Sequence, residues 1–250
     1  MNRTVLLIIL ILCITSCNEN DNPCNVLVDG VYQFPELPED HGMTSDEVTQ
    51  YWDLPEGIEE CISTEGLIET CLNYPDLRLI MAGSNPQQGY DALVRARFLG
   101  VRILETRPDR STCLLKKYQT IAPSGYNPNW ELVEIGRYLL NVYYFEIIFS
   151  QQDNLEPLTD VEIIELLEKA LSVYEEKKGD IENHALFGLE VSTTLLGRLM
   201  LQEGYEPFLN VYKENKLVKE LINYYGPVNM ETVELVFTLS KNFLNQLKNN

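Results

Sequence analysis

The segment NPNWELVEIGRYLLNVYYFEIIFS, residues 127–150, decides the fold class. Asn127 followed by Pro128 is the cap-plus-proline pattern that opens a helix, and it predicts one helix from Pro128 to about Ser150. In the second half of this helix, apolar side chains occur on nearly every side. A helix that is apolar all round is buried, so we expect this one to lie at the centre of the domain.

Helix signals continue on both sides of this segment. Thr159 and Glu162 match a capping box, and Gly179 is a typical helix stop after Lys178. Further helix starts are predicted at Thr44, Pro55, Ser63 and Pro75, and further helices over residues 86–107, 108–121, 183–202, 206–224 and 229–248. The domain lacks a sustained period-two pattern, which predicts that it contains no sheet.

These patterns predict an all-α fold in which helical hairpins pack as an irregular array or bundle. A regular array like HEAT or tetratricopeptide repeats is the alternative. We expect a single helical domain over residues 44–250. Residues 17–43 are polar, acidic and rich in proline, which predicts a flexible tether with one short extended stretch at 26–31.

The first sixteen residues have the properties of a signal peptide. The apolar run Val5–Ile14 would rise only about 15 Å as a helix, half of a hydrocarbon core of about 30 Å. The residues that follow, Ile14-Thr15-Ser16-Cys17, resemble the lipobox of bacterial lipoproteins. The resemblance implies cleavage before Cys17 and acylation of that residue, which would anchor the chain in a lipid bilayer. An ordinary signal peptide is the alternative.

The acidic segment Asn18–Asn22 resembles the export tag that sends Bacteroidetes lipoproteins to the outer face of the outer membrane. This resemblance implies a lipid anchor in the outer membrane and exposure at the cell surface. The alternative is an acidic tether that faces the periplasm.

Charge is unevenly distributed along a chain whose net charge is −19. Fifteen Asp or Glu residues precede the first base of the mature chain, Arg78, and seven bases lie between Arg95 and Lys117. Such an acidic chain is not expected to bind nucleic acid. Coulomb attraction favours internal pairing of the two blocks, and the alternative is a patch that binds an anion or an acidic partner. The candidate patch residues are Arg95, Arg97, Arg102, Arg107 and Arg110.

Four cysteines follow Cys17. Cys24 lies in the predicted tether, whereas Cys61, Cys71 and Cys113 lie in the helical domain, where buried free thiols are the favoured interpretation. A Cys61–Cys71 disulfide is an alternative, and the pairing pattern stays open. No Cys or His spacing suggests a metal site, and no cofactor is expected.

One segment is similar to a known group of sequences. Leu54-Pro55-Glu56-Gly57-Ile58 and the later Cys61-Ile-Ser-Thr-Glu-Gly-Leu-Ile-Glu-Thr-Cys-Leu-Asn-Tyr-Pro75 resemble a family of predicted Bacteroidales lipoproteins without an established activity. The resemblance implies organism group and location only. Physically, the segment predicts a structural unit in which a hydroxyl at 63 or 64 caps a helix and Leu67, Cys71 and Leu72 face inward.

The sequence contains no nucleophile, phosphate-binding or metal-binding motif. We therefore expect a membrane-anchored, non-enzymatic binding or scaffolding protein whose partner is a protein or peptide. Glycan capture is the first alternative, and a hydrolase that uses two carboxylates is the second.

Overall fold

A computed structural model describes residues 22–40, 42–223 and 228–249 of the chain. The α-helices are α1 Ser45–Tyr51, α2 Thr64–Leu72, α3 Pro86–Gly89, α4 Leu99–Thr106, α5 Arg110–Thr120, α6 Leu132–Phe149, α7 Gln152–Leu155, α8 Asp160–Gly179, α9 Ile181–Gln202, α10 Glu206–Glu214, α11 Lys216–Asn223 and α12 Met230–Asn249. Three 3₁₀ turns, Pro23–Val26, Ile58–Glu60 and Leu77–Ala82, and a π-helical turn, Tyr90–Arg95, complete the helical elements of the described residues.

The all-α prediction is confirmed, and the arrangement is an irregular bundle. Helix α9 packs against α6, α8, α10, α11 and α12, so one helix is surrounded by the others. Within the described ranges, strands occur only in the hairpin of β1 (Leu27–Val28) and β2 (Val31–Tyr32), where Leu27 pairs with Tyr32 in antiparallel register.

Helix α6 is central where the sequence is apolar all round. Phe145, Ile147 and Phe149 are fully buried, which confirms that prediction. The predicted start at Pro128 is wrong, because the Asn127 side chain instead accepts a hydrogen bond from the Asn129 amide at 2.9 Å within a turn. The helix begins at Leu132 behind a capping box formed by Glu131 and Glu134.

The single helix predicted over residues 86–107 is also wrong. It is divided into α3, the π-helical turn and α4. Gly89 lies so close to the preceding 3₁₀ turn that a Cβ atom there would be 2.0 Å from the Ile80 carbonyl oxygen. At the second break, the Leu99 amide donates to the Asp53 carboxylate at 3.0 Å. Contacts distant in sequence thus override the local helical pattern.

The helix predicted over 206–224 is likewise divided, at Asn215. The Asn215 side chain accepts hydrogen bonds from the amides of Leu217 and Val218 at 2.9 and 3.2 Å, so it caps α11 and ends the continuity with α10.

The described part of the predicted tether is folded against the helical domain. The Tyr32 amide donates to the Thr70 hydroxyl on α2 at 3.1 Å. The Trp52 indole donates to the Pro35 carbonyl at 3.0 Å, and Cys24 forms a disulfide with Cys61. These contacts join residues 23–37 to the helical domain. The folded region therefore extends N-terminal to residue 44, where we expected the domain to begin.

The disulfide corrects the expectation for Cys61, which was a free thiol or a bond to Cys71. Helix α2 holds Cys71 in the core, where it is buried and free, and Cys113 on α5 is likewise buried and free. Docking of the N-terminal segment brings the Cα atoms of Cys24 and Cys61 to 5.7 Å, a normal separation for a disulfide.

The predicted signal peptide, Cys17 and most of the acidic segment lie outside the described residues. Among the described helices, none is both long and apolar enough to cross a membrane.

Candidate functional site

The five arginines of the candidate anion patch all bond to other groups of this chain. Arg95 pairs with Glu105 at 2.5 Å, and Arg97 donates to Thr49 at 2.6 Å and contacts Asp46 at 3.3 Å. The others donate to backbone carbonyls: Arg102 to Ala96, Arg107 to Glu59 and Ile62, and Arg110 to Arg107 and Asp153.

This arrangement supports internal pairing of the acidic and basic blocks. Lys116 and Lys117 on α5 pair with Glu65 and Glu69 on α2 at 3.2 and 2.5 Å, in addition to the Arg97–Asp46 contact. Arg97 and Arg107 thus join residues 45–62 to the two ends of α4, although the Nε atoms of Arg107 and Arg110 are buried without a partner among the described residues.

A groove of about 570 Å³ lies between α6 and the segment that follows α2. We call it the α6 groove. One wall consists of residues 72–75, Leu77 and Arg78, and the other is one face of α6, formed by Val133, Gly136, Arg137, Leu140, Asn141 and Tyr144. Their spacing of three or four residues places these six residues in one stripe along the helix.

The electrostatics of the α6 groove differ from those of the chain as a whole. Two arginines line it and no carboxylate does. Asp76, just outside, contacts the exposed Arg78 at 3.6 Å, whereas Arg137 has no hydrogen-bond or ion-pair partner within the described ranges. Burial raises the pKa of Tyr144, and the charge of Arg78 opposes that shift.

Large apolar side chains are exposed near the start of α6, and one of them, Val133, lines the groove. Leu132, Val133 and Trp130 retain 85%, 73% and 40% of their accessible surface. The first two turns of α6 therefore project from the core that buries its second half. Contiguous exposed apolar side chains of this size are typical of interaction surfaces.

A second cleft, of about 400 Å³, has a polar lining of a different kind. Five carboxamides and one guanidinium line it: Gln87, Gln151, Gln152, Gln202, Asn223 and Arg198. We call it the carboxamide cleft. It lies where α3, the start of α7, the end of α9 and the end of α11 meet, and its lining includes no carboxylate and no aromatic ring.

The core contains a fully buried ion pair between Glu146 on α6 and Lys177 on α8. The hydroxyls of Tyr118 and Ser192 donate to the same carboxylate at 2.7 and 2.8 Å. Lys177 also donates to the Gly188 carbonyl and to Ser192 at 3.1 and 2.9 Å. Burial lowers the pKa of Lys177, and the neighbouring Glu146 opposes that shift. Every charge of this network is compensated, as a structural role requires.

His184 adjoins this network at the start of α9. Its Nδ1 lies 2.9 Å from the Tyr143 hydroxyl, and its Nε2 is buried without a partner among the described atoms. Burial and the charge of Lys177 lower the pKa of His184 to about 4. With this lowered pKa, the imidazole is neutral at pH 7. The next residue, Ala185, has a positive φ of 52°, an uncommon conformation for a residue with a side chain.

The two free thiols and the carboxylates of a third cleft are further candidate reactive groups among the described residues. Burial raises the pKa of both Cys71 and Cys113, the latter to about 11, which makes these thiols unreactive. Glu203 and Glu206 line a third cleft, but both are exposed, whereas the acid of a glycosidase lies in an apolar environment. A search of the described residues finds no group of three potential metal ligands.

A scan against protein-family models and searches of curated proteins and of solved structures find no match to this chain. Its function is therefore inferred from its own residues. Sequence reasoning did not find either cleft, although the alternation of Val133, Arg137, Leu140 and Tyr144 at helical spacing was a signal for the stripe on α6.

Proposed function

We propose that this protein is a lipid-anchored binding protein that captures a segment of another protein in the α6 groove. One observation carries the proposal. The N-terminal half of α6 presents a stripe of apolar and cationic side chains beside a groove of about 570 Å³, whereas its C-terminal half is buried.

The groove favours a partner segment that combines apolar and acidic side chains. Val133 and Leu140 offer apolar contacts, and Arg78 and Arg137 offer positive charge without a carboxylate in the lining. In a chain of net charge −19, such a local excess of positive charge attracts a carboxylate of the partner segment. An amphipathic helix or short extended segment lies in such grooves with its apolar side chains inserted.

The location of this binding site depends on the N-terminal residues. The lipobox-like Ile14–Cys17 and the acidic segment that follows support acylation of Cys17 and attachment to the outer membrane, with the domain at the cell surface or on the periplasmic face. The similarity to Bacteroidales lipoproteins supports the same location.

The binding proposal is tested by photo-crosslinking in cells that produce the full chain. A photoreactive amino acid replaces Val133 at the groove or, as the matched control, Val161 on α8, an exposed valine at 65% of its accessible surface. We expect the Val133 position to give one discrete adduct that the Val161 position lacks. Mass spectrometry of this adduct should identify a crosslinked segment rich in apolar and acidic residues.

Charge reversal then tests the predicted chemistry. Arg137→Glu should reduce the adduct at least about tenfold, because it places like charges opposite each other. Arg102→Glu, which alters an arginine outside the groove, should leave it unchanged. The proposal is wrong if Arg137→Glu has no effect, if the Val161 position gives the same adduct, or if the captured species is a second copy of this chain.

Membrane attachment is tested separately. Cys17→Ser should release the protein from the membrane fraction, since acylation requires the thiol, whereas Cys13→Ser within the apolar run should not. Membrane association that survives Cys17→Ser would contradict the lipid anchor without affecting the groove.

A further inference from the structure

We infer that the carboxamide cleft is a second binding site, and that its ligand is an uncharged saccharide. This site is distinct from the α6 groove, with which it shares no lining residue. Its volume of about 400 Å³ lies within the range of small-molecule sites and suits one or two sugar rings.

A chain of hydrogen bonds holds one wall of the cleft in place. Arg198 donates to the Gln87 carbonyl oxygen at 2.7 Å, and the Gln87 amide donates to Gln151 at 3.0 Å. Gln151 in turn donates to the Ile147 carbonyl at 2.7 Å. Three segments that are distant in sequence, around residues 87, 147–151 and 198, meet in this wall, so these side chains are fixed before a ligand arrives.

The cleft also contains polar atoms without protein partners. The Gln202 carbonyl oxygen is buried and accepts no hydrogen bond. The exposed Gln152 carboxamide has no hydrogen bond to any described residue. The Asn223 amide nitrogen donates to the Lys219 carbonyl and the Tyr212 hydroxyl at 2.8 and 3.3 Å, whereas its oxygen accepts no bond from a described residue. A buried acceptor without a partner is costly, and a small rotation of the Gln202 carboxamide would let a ligand hydroxyl donate to its oxygen.

The composition of the lining selects a neutral ligand. Each carboxamide presents a donor and an acceptor side by side, and each sugar hydroxyl does the same, so the two kinds of group pair with each other. The guanidinium of Arg198 is bonded within the protein, because its Nε, Nη1 and Nη2 atoms donate to oxygens of Ile222, Ser150 and Gln87, so each of its nitrogens already has an acceptor before a ligand arrives.

Apolar contacts complete the match to a sugar ring. Leu155, Leu201 and Ile222 line the same cleft and can contact the C–H face of the ring. The lining contains no aromatic ring for stacking, so we expect a dissociation constant in the millimolar range. Hydrogen bonds then account for most of the selectivity among ligands.

Saturation-transfer NMR on the full chain tests this inference. The probes are neutral oligosaccharides of glucose, galactose, mannose and N-acetylglucosamine, with galacturonate oligosaccharides and the dipeptide Gly-Gln as competitors of other classes. We expect at least one neutral oligosaccharide to bind. Its affinity should be about tenfold lower for the double variant Gln152→Ala/Gln202→Ala, because about 1.4 kcal/mol of hydrogen bonding is removed. Neither substitution removes a bond from the ordered wall.

Gln246→Ala is the matched control, because Gln246 is an exposed glutamine that lines another cleft. It should leave saccharide binding unchanged. The inference is overturned if no neutral oligosaccharide binds at about 50 mM, if only galacturonate or Gly-Gln binds, or if the double variant binds as tightly as the parent. Photo-crosslinking at Val133 tests the α6 groove independently of these outcomes, so either proposal can be disproved without affecting the other.

Discussion

The N-terminal half of the chain, residues 22–120, and the C-terminal half, residues 132–249, place their charges differently. In the first half, ion pairs such as Lys116–Glu65 and Arg97–Asp46 lie at the surface and join short elements. The second half also has exposed pairs, such as Lys178–Glu234, but its long helices additionally enclose the Glu146–Lys177 pair, whose side chains are both fully buried.

This difference determines what each half depends on. Exposed ion pairs contribute about 0–1 kcal/mol each, so the segments of the N-terminal half are held by their share of the apolar core, which includes Tyr32 and Trp52, and by the Cys24–Cys61 disulfide. The same apolar core continues into the C-terminal half. The stability of this half requires both members of the buried Glu146–Lys177 pair, because either charge alone would be uncompensated in the core.

The largest expected effect tests this contrast directly. Lys177→Met leaves Glu146 charged and buried, and we expect it to lower the free energy of unfolding by about 3–5 kcal/mol. Lys116→Met breaks an exposed pair and should cost less than about 1 kcal/mol. Urea unfolding of both variants measures the difference, and equal effects would contradict the contrast.

The second expected effect concerns the disulfide. Cys24→Ser/Cys61→Ser should lower the free energy of unfolding by about 2–4 kcal/mol. Amide hydrogen exchange should increase mainly in residues 23–37 and only slightly in α8 and α9. As a control, a reductant should destabilise the parent but not this variant, since Cys71 and Cys113 are free. An equal increase in exchange throughout the chain would show that the disulfide does not stabilise residues 23–37 in particular.

The smallest expected effect is a pH dependence from His184. Its pKa is lowered to about 4 in the folded protein and is about 6.5 when unfolded, so the unfolded chain binds the extra proton between these values. Stability should fall as the pH decreases, with a His184 contribution of about 2 kcal/mol between pH 7 and pH 5.

The groups that face His184 are Tyr143, Lys177, Asp180 and Glu176. His184→Gln should remove this contribution and flatten the curve of unfolding free energy against pH by the same amount. An unchanged slope in the variant would mean that the pKa of His184 is the same in the folded and unfolded states.

Several local features followed from the sequence because they depend on neighbouring residues. Thr44 and Thr159 were predicted as helix starts, and both residues form capping boxes. Ser63 caps α2 as predicted, and Leu67 and Cys71 face inward, although Leu72 is only partly buried. The hairpin between β1 and β2 was missed, even though Asp29-Gly30 is a typical two-residue turn.

The all-α class, the capping boxes at Thr44 and Thr159 and the burial of the second half of α6 follow from the sequence, because helical periodicity and capping are local properties. The break at Gly89, the Cys24–Cys61 bond and the two clefts arise from tertiary contacts. Each of these depends on segments that are far apart in the chain, and a pattern within one helix does not specify which surface another segment will cover.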